Sequence, residues 1–590
     1  MLRTHTCGEL TDKNTGQKVI LAGWVSSIRD HGNIIFFDLR DRYGITQIVC
    51  NLNQIDESLV ELVKKVRQEF VIQVSGTVVE RSPETINPKI STGSIEVVLE
   101  RLSILNTCQV LPFEIQDSKN INENTRLKYR YLDLRRQQLK ENIVFRSVFT
   151  SKMREFFSSE NFVEIETPIL TRSTPEGARD FLVPSRLNPG SFYALPQSPQ
   201  LFKQILMISG FDRYYQIARC FRDEDLRSDR QPEFTQVDIE MAFIEEDDII
   251  DISERLIKYS IEKSMGKEIK IPFPRLTYDE ALSRFGTDKP DIRFGMEILN
   301  LSDVFQNSGS SILDEIIKSG GTIRGLVIEQ GEKVSIKDVD AINEFVIQKG
   351  GKGIGWIRFR QTEIVSPLKK VLNESTISNL RNLFEIKPGT LLLFLGGQER
   401  WVCETLGEIR LDIGRKIQLV DKNSLNFLWV VDFPLFEYSQ EEERLVCVHH
   451  PFTSPKIQDI EILDTQPLKA RSRAYDLVLN GTEIGGGSIR IHQRQLQEKI
   501  FSILNMQPSE YNQRFGFLLE ALSFGAPPHG GLAFGLDRLV MILRNEDSIR
   551  ETIAFPKTQK GICPLSEAPG AVDENQLKEL HIRVDLKPKE

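Results

Sequence analysis

The stretch that decides the fold is Tyr215–Glu240, YQIARCFRDEDLRSDRQPEFTQVDIE. An apolar run leads to Arg222 and three consecutive acidic residues, a polar loop follows, and FTQVDIE then alternates apolar and polar side chains. This order predicts two strands joined as a hairpin, with Arg222 at the end of the first. A guanidinium there suits a phosphate or carboxylate, because its planar fork donates to two oxygens and keeps its charge. The alternative, a surface hairpin held by ion pairs, leaves so dense a cluster between apolar strands unexplained.

A second stretch, Gly525–Leu543, reads GAPPHGGLAFGLDRLVMIL and predicts a further ligand-contacting element. Gly530, Gly531 and Gly535 let the backbone pass close to a planar ligand, because they carry no side chain. Arg538 then lies at the start of an apolar helix, close to a nucleotide placed on the glycines. The glycines and the helix make this arginine a stronger candidate than a lone GLDR sequence would be.

Residues 18–104 contain five short runs rich in Val, Ile and Phe, separated by turns. A segment with helical spacing, SLVELVKKVRQ, lies between the third and fourth runs. Five strands with one helix after the third predict an OB-fold, a small barrel often used on oligonucleotides. A small barrel without a ligand is the alternative reading of this segment alone.

Two further segments separate these stretches. Residues 107–135 form a polar connector rich in Lys and Arg, compatible both with solvated surface and with contact to an RNA backbone. Residues 288–415 carry their own mixed pattern and glycine-rich turns such as SGGT and KGGKGIGW. Because stretches of one candidate site flank residues 288–415, we interpret them as an inserted domain.

The composition is that of an ordinary globular protein. The 590 residues are enough for three or four domains, with 40% hydrophobic and 27% charged residues. The net charge of −9 argues against general adhesion to nucleic acid but leaves room for a local basic track. The seven cysteines contain no C-x-x-C pair, so neither a zinc knuckle nor a disulfide framework is indicated. With no apolar leader and no 18-residue apolar run, the sequence predicts a cytoplasmic protein.

Together with Phe162–Pro184, a strand containing Pro168 and then a polar loop, the two arginine stretches resemble motifs 1, 2 and 3 of class II aminoacyl-tRNA synthetases. The chain as a whole resembles the bacterial-type aspartyl-tRNA synthetases. The HIGH and KMSKS sequences of class I synthetases are missing. The resemblance also rests on these segments: QSPQLFKQ (197–204), HHPFTSP (449–455), AYDLVLNGTEIGGGSIRIH (474–492) and GLDR (535–538).

The resemblance implies an α+β multidomain fold. Its parts are an N-terminal OB-fold β-barrel, an antiparallel class II sheet with flanking helices, and an inserted α+β domain like the GAD domain of the bacterial type. The expected boundaries are 1–106 for the anticodon-binding barrel, 107–135 for a hinge, 136–287 for the first catalytic part, 288–415 for the insertion, 416–565 for the second catalytic part and 566–590 for a C-terminal extension.

The resemblance also implies that ATP is a substrate. Arg222 is expected on the α-phosphate and Arg538 on the γ-phosphate side, as the two catalytic residues. Asp476 and Glu483 are expected to hold Mg²⁺, whose preferred ligands are oxygens, and no zinc is expected. The matching ATP-contacting positions are Arg222, Asp223, Glu224, Gln231, Glu483, Gly535, Leu536, Asp537 and Arg538.

For the amino acid, the resemblance implies L-aspartate. Arg490 and Lys203 would bind its side-chain carboxylate, whereas Asp238 and Glu176 would receive the α-ammonium. Asparagine would leave the two cations without a counter-charge, which predicts strong rejection without editing. The same cations argue against lysyl- and asparaginyl-tRNA synthetases. The matching positions are Glu176, Ser198, Gln200, Leu201, Phe202, Lys203, Arg222, Asp238, His449 and Arg490.

On the barrel, Phe36 and Gln47 match anticodon-contacting positions, and an aromatic side chain there can stack an unstacked base. His31 resembles the non-discriminating form, which charges both tRNA-Asp and tRNA-Asn, whereas discriminating bacterial enzymes often carry leucine. The loop at Pro83 is the second place where the forms differ. The implied function is thus an aspartate–tRNA ligase, with a homodimer interface near Pro168. A strictly tRNA-Asp-specific enzyme and a non-catalytic tRNA-binding paralogue remain as alternatives.

Overall fold

A computed structural model describes residues 1–115, 121–174, 178–369 and 372–586. The chain divides into two compact units, Met1–Arg126 with Tyr131–Lys140 and Leu127–Arg130 with Glu141–Glu590. Every helix in the described ranges is too short or too polar to cross a membrane.

The strands of the described residues follow in chain order. They are β1 (Lys18–Asp30), β2 (Ile34–Arg40), β3 (Ile45–Asn51), β4 (Val71–Glu80), β5 (Ile95–Asn106), β6 (Val163–Glu164), β7 (Leu182–Pro184), β8 (Phe192–Ala194), β9 (Arg213–Phe221), β10 (Glu233–Ala242), β11 (Arg275–Thr277), β12 (Ile298–Asn300), β13 (Thr322–Ile328), β14 (Gly355–Phe359), β15 (Ile364–Val365), β16 (Leu391–Gly397), β17 (Phe427–Val431), β18 (Phe436–Ser439), β19 (Arg444–Cys447), β20 (Ala474–Leu479), β21 (Thr482–Ile489) and β22 (His529–Gly535).

The α-helices of the same residues connect and cover these strands. They are α1 (Glu57–Lys65), α2 (Glu123–Lys128), α3 (Arg130–Asp133), α4 (Gln137–Ser159), α5 (Gln200–Ile208), α6 (Glu246–Met265), α7 (Tyr278–Phe285), α8 (Ser302–Phe305), α9 (Ser311–Lys318), α10 (Ile336–Gln348), α11 (Glu374–Leu383), α12 (Glu399–Lys416), α13 (Arg494–Ile503), α14 (Pro508–Leu522), α15 (Leu536–Leu543) and α16 (Glu574–Glu579).

The first unit contains a closed five-stranded barrel in the order β1-β2-β3-β5-β4. All pairings are antiparallel except β3 with β5, which closes the barrel. Side chains of β4 alternate inward and outward, and Ile72, Val74 and Val78 are buried in the barrel core. Helix α1 follows the third strand and begins at Asp56, whose carboxylate accepts a hydrogen bond from the Leu59 N–H. The predicted OB-fold is therefore confirmed.

The second unit is built on an eight-stranded sheet in the order β11-β17-β20-β21-β22-β10-β9-β6. Its interior pairings are antiparallel, and only the edge pairs β11–β17 and β6–β9 run parallel. Phe149 and Phe157 of α4 and Ile257 of α6 pack in one core with Trp429 of β17 and Phe534 of β22. The expected antiparallel sheet with flanking helices is present.

Neighbouring strands of this sheet approach so closely that only glycine fits at particular positions. A Cβ at Gly487 would lie 2.1 Å from the Gly531 carbonyl oxygen, and a Cβ at Gly531 would lie 1.9 Å from Glu240 Oε2. A Cβ at Gly486 would lie 2.6 Å from Asp476 Oδ1. The triple glycine in β21 therefore serves close packing against both a neighbouring strand and a carboxylate.

A separate five-stranded sheet, in the order β12-β13-β16-β14-β15, lies between β11 and β17 in the chain. Strand β16 has buried side chains on both of its faces: Leu391, Leu393 and Leu395 enter one core, whereas Leu392 and Phe394 enter another. Because successive side chains of a strand point to opposite faces, both faces of this sheet are covered, by α8 to α12.

Candidate active site

A cavity of about 730 Å³ opens on the eight-stranded sheet. Its volume lies within the usual range of small-molecule sites. Its walls come from β10, β20, β21, β22, α5, the start of α15 and the loop between β9 and β10. The predicted residues that line it are Ser198, Gln200, Lys203, Arg222, Glu224, Gln231, Asp238, His449, Asp476, Glu483, Arg490, Gly535, Asp537 and Arg538.

Other predicted residues lie elsewhere. Leu201 and Phe202 line a neighbouring cavity of about 230 Å³, which shares Ser198 with the first. Leu536 is buried in the core beneath the sheet. Asp223 bridges to Arg179, with 3.8 Å between its carboxylate and the guanidinium Nε. Glu176 lies outside the described residues.

One end of the cavity holds four buried charged side chains, here called the charge cluster: Lys203, Asp238, Glu240 and Arg490, none more than 1% exposed. The Lys203 ammonium lies 3.1 Å from Asp238 Oδ1 and 3.4 Å from Glu240 Oε2. Arg490 donates to both oxygens of Glu240, over 2.9 and 3.1 Å. Asp238 Oδ2 is buried without a hydrogen-bond partner among the described residues.

The charge cluster corrects one sequence-based expectation. Arg490 and Lys203 already have Glu240 and Asp238 as counter-charges, so asparagine would not leave these cations uncompensated. Burial opposes ionisation of Glu240, but Arg490 and Lys203 outweigh burial and hold its pKa below the usual value. Burial raises the pKa of Asp238, although Lys203 acts in the opposite direction. The partner Glu240 is separated from Arg490 by 250 positions in the chain, so the sequence pattern did not reveal it.

His450 contacts the Arg490 guanidinium at the same end. The distance from Arg490 Nη1 to His450 Nε2 is 2.7 Å, and Nη1 also donates to Ser488 Oγ over 2.8 Å. Arginine only donates hydrogen bonds, so Nε2 faces it as an acceptor, which agrees with an uncharged ring. Burial, with Arg490 acting in the same direction, lowers the pKa of His450 well below 6.5. The two contacts of Nη1 and the two with Glu240 leave one of the five N–H groups of Arg490 for a ligand.

This environment of His450 predicts a pH dependence of stability. Below pH 6.5 the unfolded chain binds a proton at His450 that the native protein excludes, so stability falls as the pH decreases, by up to about 1.4 kcal/mol per pH unit. We expect the unfolding temperature to fall less between pH 7 and 5 in His450→Gln than in the wild type. His581→Gln, at an exposed histidine, should keep the wild-type slope. Equal slopes in all three proteins would contradict this prediction.

The other end of the cavity holds the two predicted arginines. Arg222 follows β9, its guanidinium carbon lies 5.1 Å from the centre of the Phe234 ring, and its Nε has no partner among the described residues. Arg538 Nη1 donates to the Glu483 carbonyl over 2.8 Å, and Nη2 lies 3.1 Å from Asp229 Oδ2. Both arginines thus present donors to a ligand in the cavity.

Two other predicted ATP-contacting residues have protein partners for their polar atoms. The Gln231 amide makes two hydrogen bonds with the main chain of Lys557, over 3.0 and 2.7 Å. The Asp537 carboxylate accepts from the Thr235 N–H over 2.6 Å and also contacts Arg146. These contacts hold the wall of the cavity in place, and direct contact with ATP stays a prediction for both residues.

A pair of carboxylates, Asp476 and Glu483, lies between the two ends on neighbouring strands. Burial, together with repulsion from Glu483, raises the pKa of Asp476 well above its ordinary value. Burial acts in the same direction on Glu483, but Lys289 lies 3.0 Å away and keeps its pKa below the usual value. His449 Nε2 lies 3.6 Å from Asp476 Oδ1, and burial lowers the pKa of His449 to about 4.

This carboxylate pair fits a hard divalent cation, because two like charges at close range are stabilised by a positive ion between them. The described residues contain no group of three metal-ligating side chains. A magnesium ion bound at Asp476 and Glu483 would therefore complete its shell with phosphate and water oxygens.

On one face of the barrel, three of the four predicted tRNA-contacting residues come together. His31 and Phe36 meet edge to face with 5.8 Å between ring centres. Gln47 Oε1 accepts a hydrogen bond from Arg29 over 2.8 Å, and Arg29 also lies 6.0 Å from the Phe36 ring centre. Pro83 begins a separate short helical turn, Pro83–Thr85.

Comparison with protein families decides the assignment. The profile described as "tRNA synthetases class II (D, K and N)" matches residues 122–559. The chain belongs to this family. The profile described as "OB-fold nucleic acid binding domain" matches residues 19–105 of the same class II synthetase.

Relatives of this class II synthetase extend over nearly its whole length. A protein of Caldanaerobacter subterraneus subsp. tengcongensis, named "Aspartate--tRNA(Asp/Asn) ligase", is 53% identical and covers 99% of this chain and 98% of its own. A protein of the same name in Aquifex aeolicus is 50% identical with the same coverage. A Geobacillus kaustophilus protein named "Aspartate--tRNA ligase" is 51% identical and covers 99% of both chains.

Solved structures of class II synthetases show the same fold. The asparaginyl-tRNA synthetase of Pyrococcus horikoshii, complexed with asparaginyl-adenylate, aligns with a TM-score of 0.60 at 20% identity over 95% of this chain and 99% of that one. A putative aspartyl-tRNA synthetase from Leishmania major Friedlin aligns with a TM-score of 0.59 at 19% identity over 94% of each.

The sequence analysis missed several residues that line this synthetase's cavity or lie directly behind its wall. Glu240 carries a usable signal, because it lies two positions after Asp238 on one strand and so faces the same side. His450 directly follows the predicted His449. Asp229 lies two positions before Gln231 in the predicted hairpin loop, whereas Lys289 reaches the cavity through tertiary packing and its local sequence offers no comparable signal.

Proposed function

We propose that this class II synthetase is an aspartate–tRNA ligase that charges tRNA-Asp and also tRNA-Asn. It activates L-aspartate with ATP to aspartyl-adenylate and then transfers the aspartyl group to the 3′ end of the tRNA. The observation that carries the proposal is the arrangement of one cavity, with the charge cluster at one end and Arg222 with Arg538 at the other. The names of the full-length relatives support the same substrates.

The first step requires placement more than covalent catalysis. The α-carboxylate of aspartate attacks the α-phosphorus of ATP, and the bond to the leaving pyrophosphate breaks. Arg222 stabilises the charge that develops on the α-phosphate, and Arg538 holds the pyrophosphate end. Cations that the fold already holds in position stabilise such charge without reorganisation. Mg²⁺ held by Asp476 and Glu483 would supply further charge neutralisation on the phosphates.

The charge cluster places the amino acid. The free oxygen of Asp238 is available to the α-ammonium, and the remaining N–H of Arg490 donates to the side-chain carboxylate. Arg490 and Lys203 only donate hydrogen bonds. The amide nitrogen of asparagine would place its N–H groups against the N–H donors of the protein. Both side-chain oxygens of aspartate can accept hydrogen bonds from those donors. Donor geometry therefore favours aspartate, because either of its side-chain oxygens can accept the remaining N–H of Arg490, whereas asparagine has only one oxygen to offer.

In the second step, a hydroxyl of the terminal ribose attacks the aspartyl carbonyl and displaces AMP. The barrel face with His31, Phe36 and Gln47 is proposed to bind the anticodon, and the loop at Pro83 to contribute to the choice of tRNA. Stacking on Phe36 would contribute about 1–3 kcal/mol per base.

The proposed organisation follows the boundaries expected from the sequence. Segments 136–287 and 416–565 form the catalytic domain, and 288–415 is inserted between them. Pairing of β11 with β17 and of β10 with β22 supports this division. Exposed apolar side chains at Val163, Ile169 and Leu170 around motif 1 support a homodimer. The proposed location is the cytoplasm.

Two assays on the purified protein test this function. Aspartate should drive ATP–pyrophosphate exchange, and asparagine and lysine should not. Aspartylation of tRNA-Asp and tRNA-Asn is then measured side by side, and both should be charged. Refusal of tRNA-Asn would favour the strictly tRNA-Asp-specific form, and absence of amino-acid-dependent exchange would favour a non-catalytic tRNA-binding protein.

His31 is the residue whose replacement should separate the two tRNAs. In His31→Leu we expect charging of tRNA-Asn to fall by about tenfold relative to tRNA-Asp, equivalent to ~1.4 kcal/mol, because the ring that meets Phe36 is lost. The measurement is kcat/KM for each tRNA, with His5→Leu as the control at another histidine of the first unit. An unchanged ratio in His31→Leu would contradict this role.

A further inference from the structure

Lys289 belongs to a segment that is held firmly against the sheet. The segment connects α7 to β12, and a Cβ at Gly481, in the turn between β20 and β21, would lie 3.0 Å from Asp291 Cβ. The Arg410 guanidinium donates to the carbonyl oxygens of Asp291 and Phe294 over 2.8 and 3.0 Å. The backbone near Lys289 is therefore fixed, whereas its four-carbon side chain stays free to change rotamer.

The Lys289 side chain lines the cavity and contacts Glu483, one member of the carboxylate pair. Its ammonium lies 3.0 Å from Glu483 Oε2 and 3.9 Å from Asp288 Oδ2, and 40% of the side chain is exposed. Arg538 reaches Glu483 only at the carbonyl oxygen, so it leaves the carboxylate itself to Lys289. Asp476 is 6% exposed. Lys289 thus supplies the positive charge next to the carboxylate pair.

The Lys289 ammonium would compete with a divalent cation for these carboxylates. Magnesium binds carboxylate oxygens at about 2.0–2.1 Å, which would place it within a few ångströms of an ammonium that hydrogen-bonds the same group. Two cations on one carboxylate repel each other, and a protein screens this repulsion less than bulk water does. The Lys289 ammonium and a divalent cation would therefore compete for the Glu483 carboxylate.

We infer that Lys289 is a positioning residue of the activation site, which compensates Asp476 and Glu483 before nucleotide binding and is displaced by the divalent cation that accompanies ATP. The inference rests on the proposed assignment of Asp476 and Glu483 as the metal-binding pair. Before nucleotide binding, Lys289 holds the Glu483 carboxylate in place by a direct ion pair. It also lowers the affinity of the carboxylate pair for a metal ion that arrives without a nucleotide.

Binding of Mn²⁺ in the absence of nucleotide tests this role. The probe is the paramagnetic resonance signal of free Mn²⁺ titrated with the full-length protein. We expect Lys289→Met to bind Mn²⁺ at least about tenfold more tightly than the wild type, because the competing charge is gone. Lys289→Arg should restore the wild-type affinity. Lys499→Met is the matched control, since Lys499 is a half-exposed lysine paired with Asp464 over 2.8 Å, outside the residues that line the cavity.

The outcomes separate this inference from its rivals. Tighter binding in Lys289→Met that disappears in Lys289→Met/Asp476→Asn supports it and locates the ion. Unchanged or weaker Mn²⁺ binding in Lys289→Met overturns it. A loss of metal-free ATP binding with unchanged Mn²⁺ affinity also overturns it and makes Lys289 a phosphate ligand. Aspartate-dependent exchange by the wild type tests the proposed function separately, because the Mn²⁺ titration contains neither aspartate nor tRNA.

Discussion

Arg222→Ala is expected to lower aspartate-dependent ATP–pyrophosphate exchange by at least about 100- to 1,000-fold, the usual loss when one fixed donor at a developing charge is removed. The guanidinium projects from the end of β9 into the cavity, where its Nε lacks a partner among the described residues. Its contact with the Phe234 ring lies at the surface of the cavity, so the core should be unaffected. The unfolding temperature should stay within a few degrees of the wild type.

Arg219→Ala is the control for this result. Arg219 lies on the same strand, three residues earlier, and pairs with Glu233 over 2.7 Å on an exposed surface. Its replacement should leave exchange close to the wild-type rate, since exposed ion pairs contribute at most about 1 kcal/mol to stability. Near-normal exchange in Arg222→Ala would remove the proposed role of this residue on the α-phosphate.

The second large effect is expected in Arg490→Met, which should lose both aspartate activation and stability. The variant lacks the donor proposed for the side-chain carboxylate, so the KM for aspartate should rise by at least about 100-fold, equivalent to ~2.7 kcal/mol. It also leaves Glu240 buried without its main counter-charge, which costs about 3–5 kcal/mol. The measurements are exchange kinetics against aspartate concentration and thermal unfolding.

A double variant separates the two effects. In Glu240→Gln/Arg490→Met both charges are removed, so the unfolding temperature should return part of the way to the wild type while aspartate activation stays lost. Arg358→Met serves as the control for the loss of a hydrogen-bonded arginine outside the cavity, since Arg358 donates to the carbonyl oxygens of Gly331 and Val334 and lies on β14 of the five-stranded sheet. Recovery of aspartate activation in the double variant would contradict the binding role of Arg490.

The parts of the fold that the sequence predicted are those with strong local periodicity. The barrel strands alternate buried and exposed side chains, and the Arg222 hairpin has polar residues between two apolar strands, so both were readable without tertiary information. The resemblance to a family then predicted the site residues, and fourteen of them line one cavity in the structure. The assignment of individual roles to these residues stays a proposal.

What the sequence did not predict depends on contacts between distant segments. Glu240 compensates Arg490 across 250 positions, and Lys289 reaches Glu483 across almost 200. Asp537 is a second example. The resemblance predicts that it contacts ATP, but in the structure its carboxylate accepts a hydrogen bond from the Thr235 N–H. Charge balance in a buried site is set by the tertiary fold, and local patterns do not contain it.

The close approach of β22 to Glu240 has a consequence for the history of the gene. Every missense change in the codon of Gly531 adds at least one carbon atom where a carboxylate oxygen already lies, 1.9 Å away. Even a change to alanine at position 531 would therefore displace Glu240, the residue that binds Arg490. Because the same Cβ would also lie 2.2 Å from the Ile239 carbonyl oxygen, a backbone atom, selection should retain glycine at position 531 whatever residue stands at position 240.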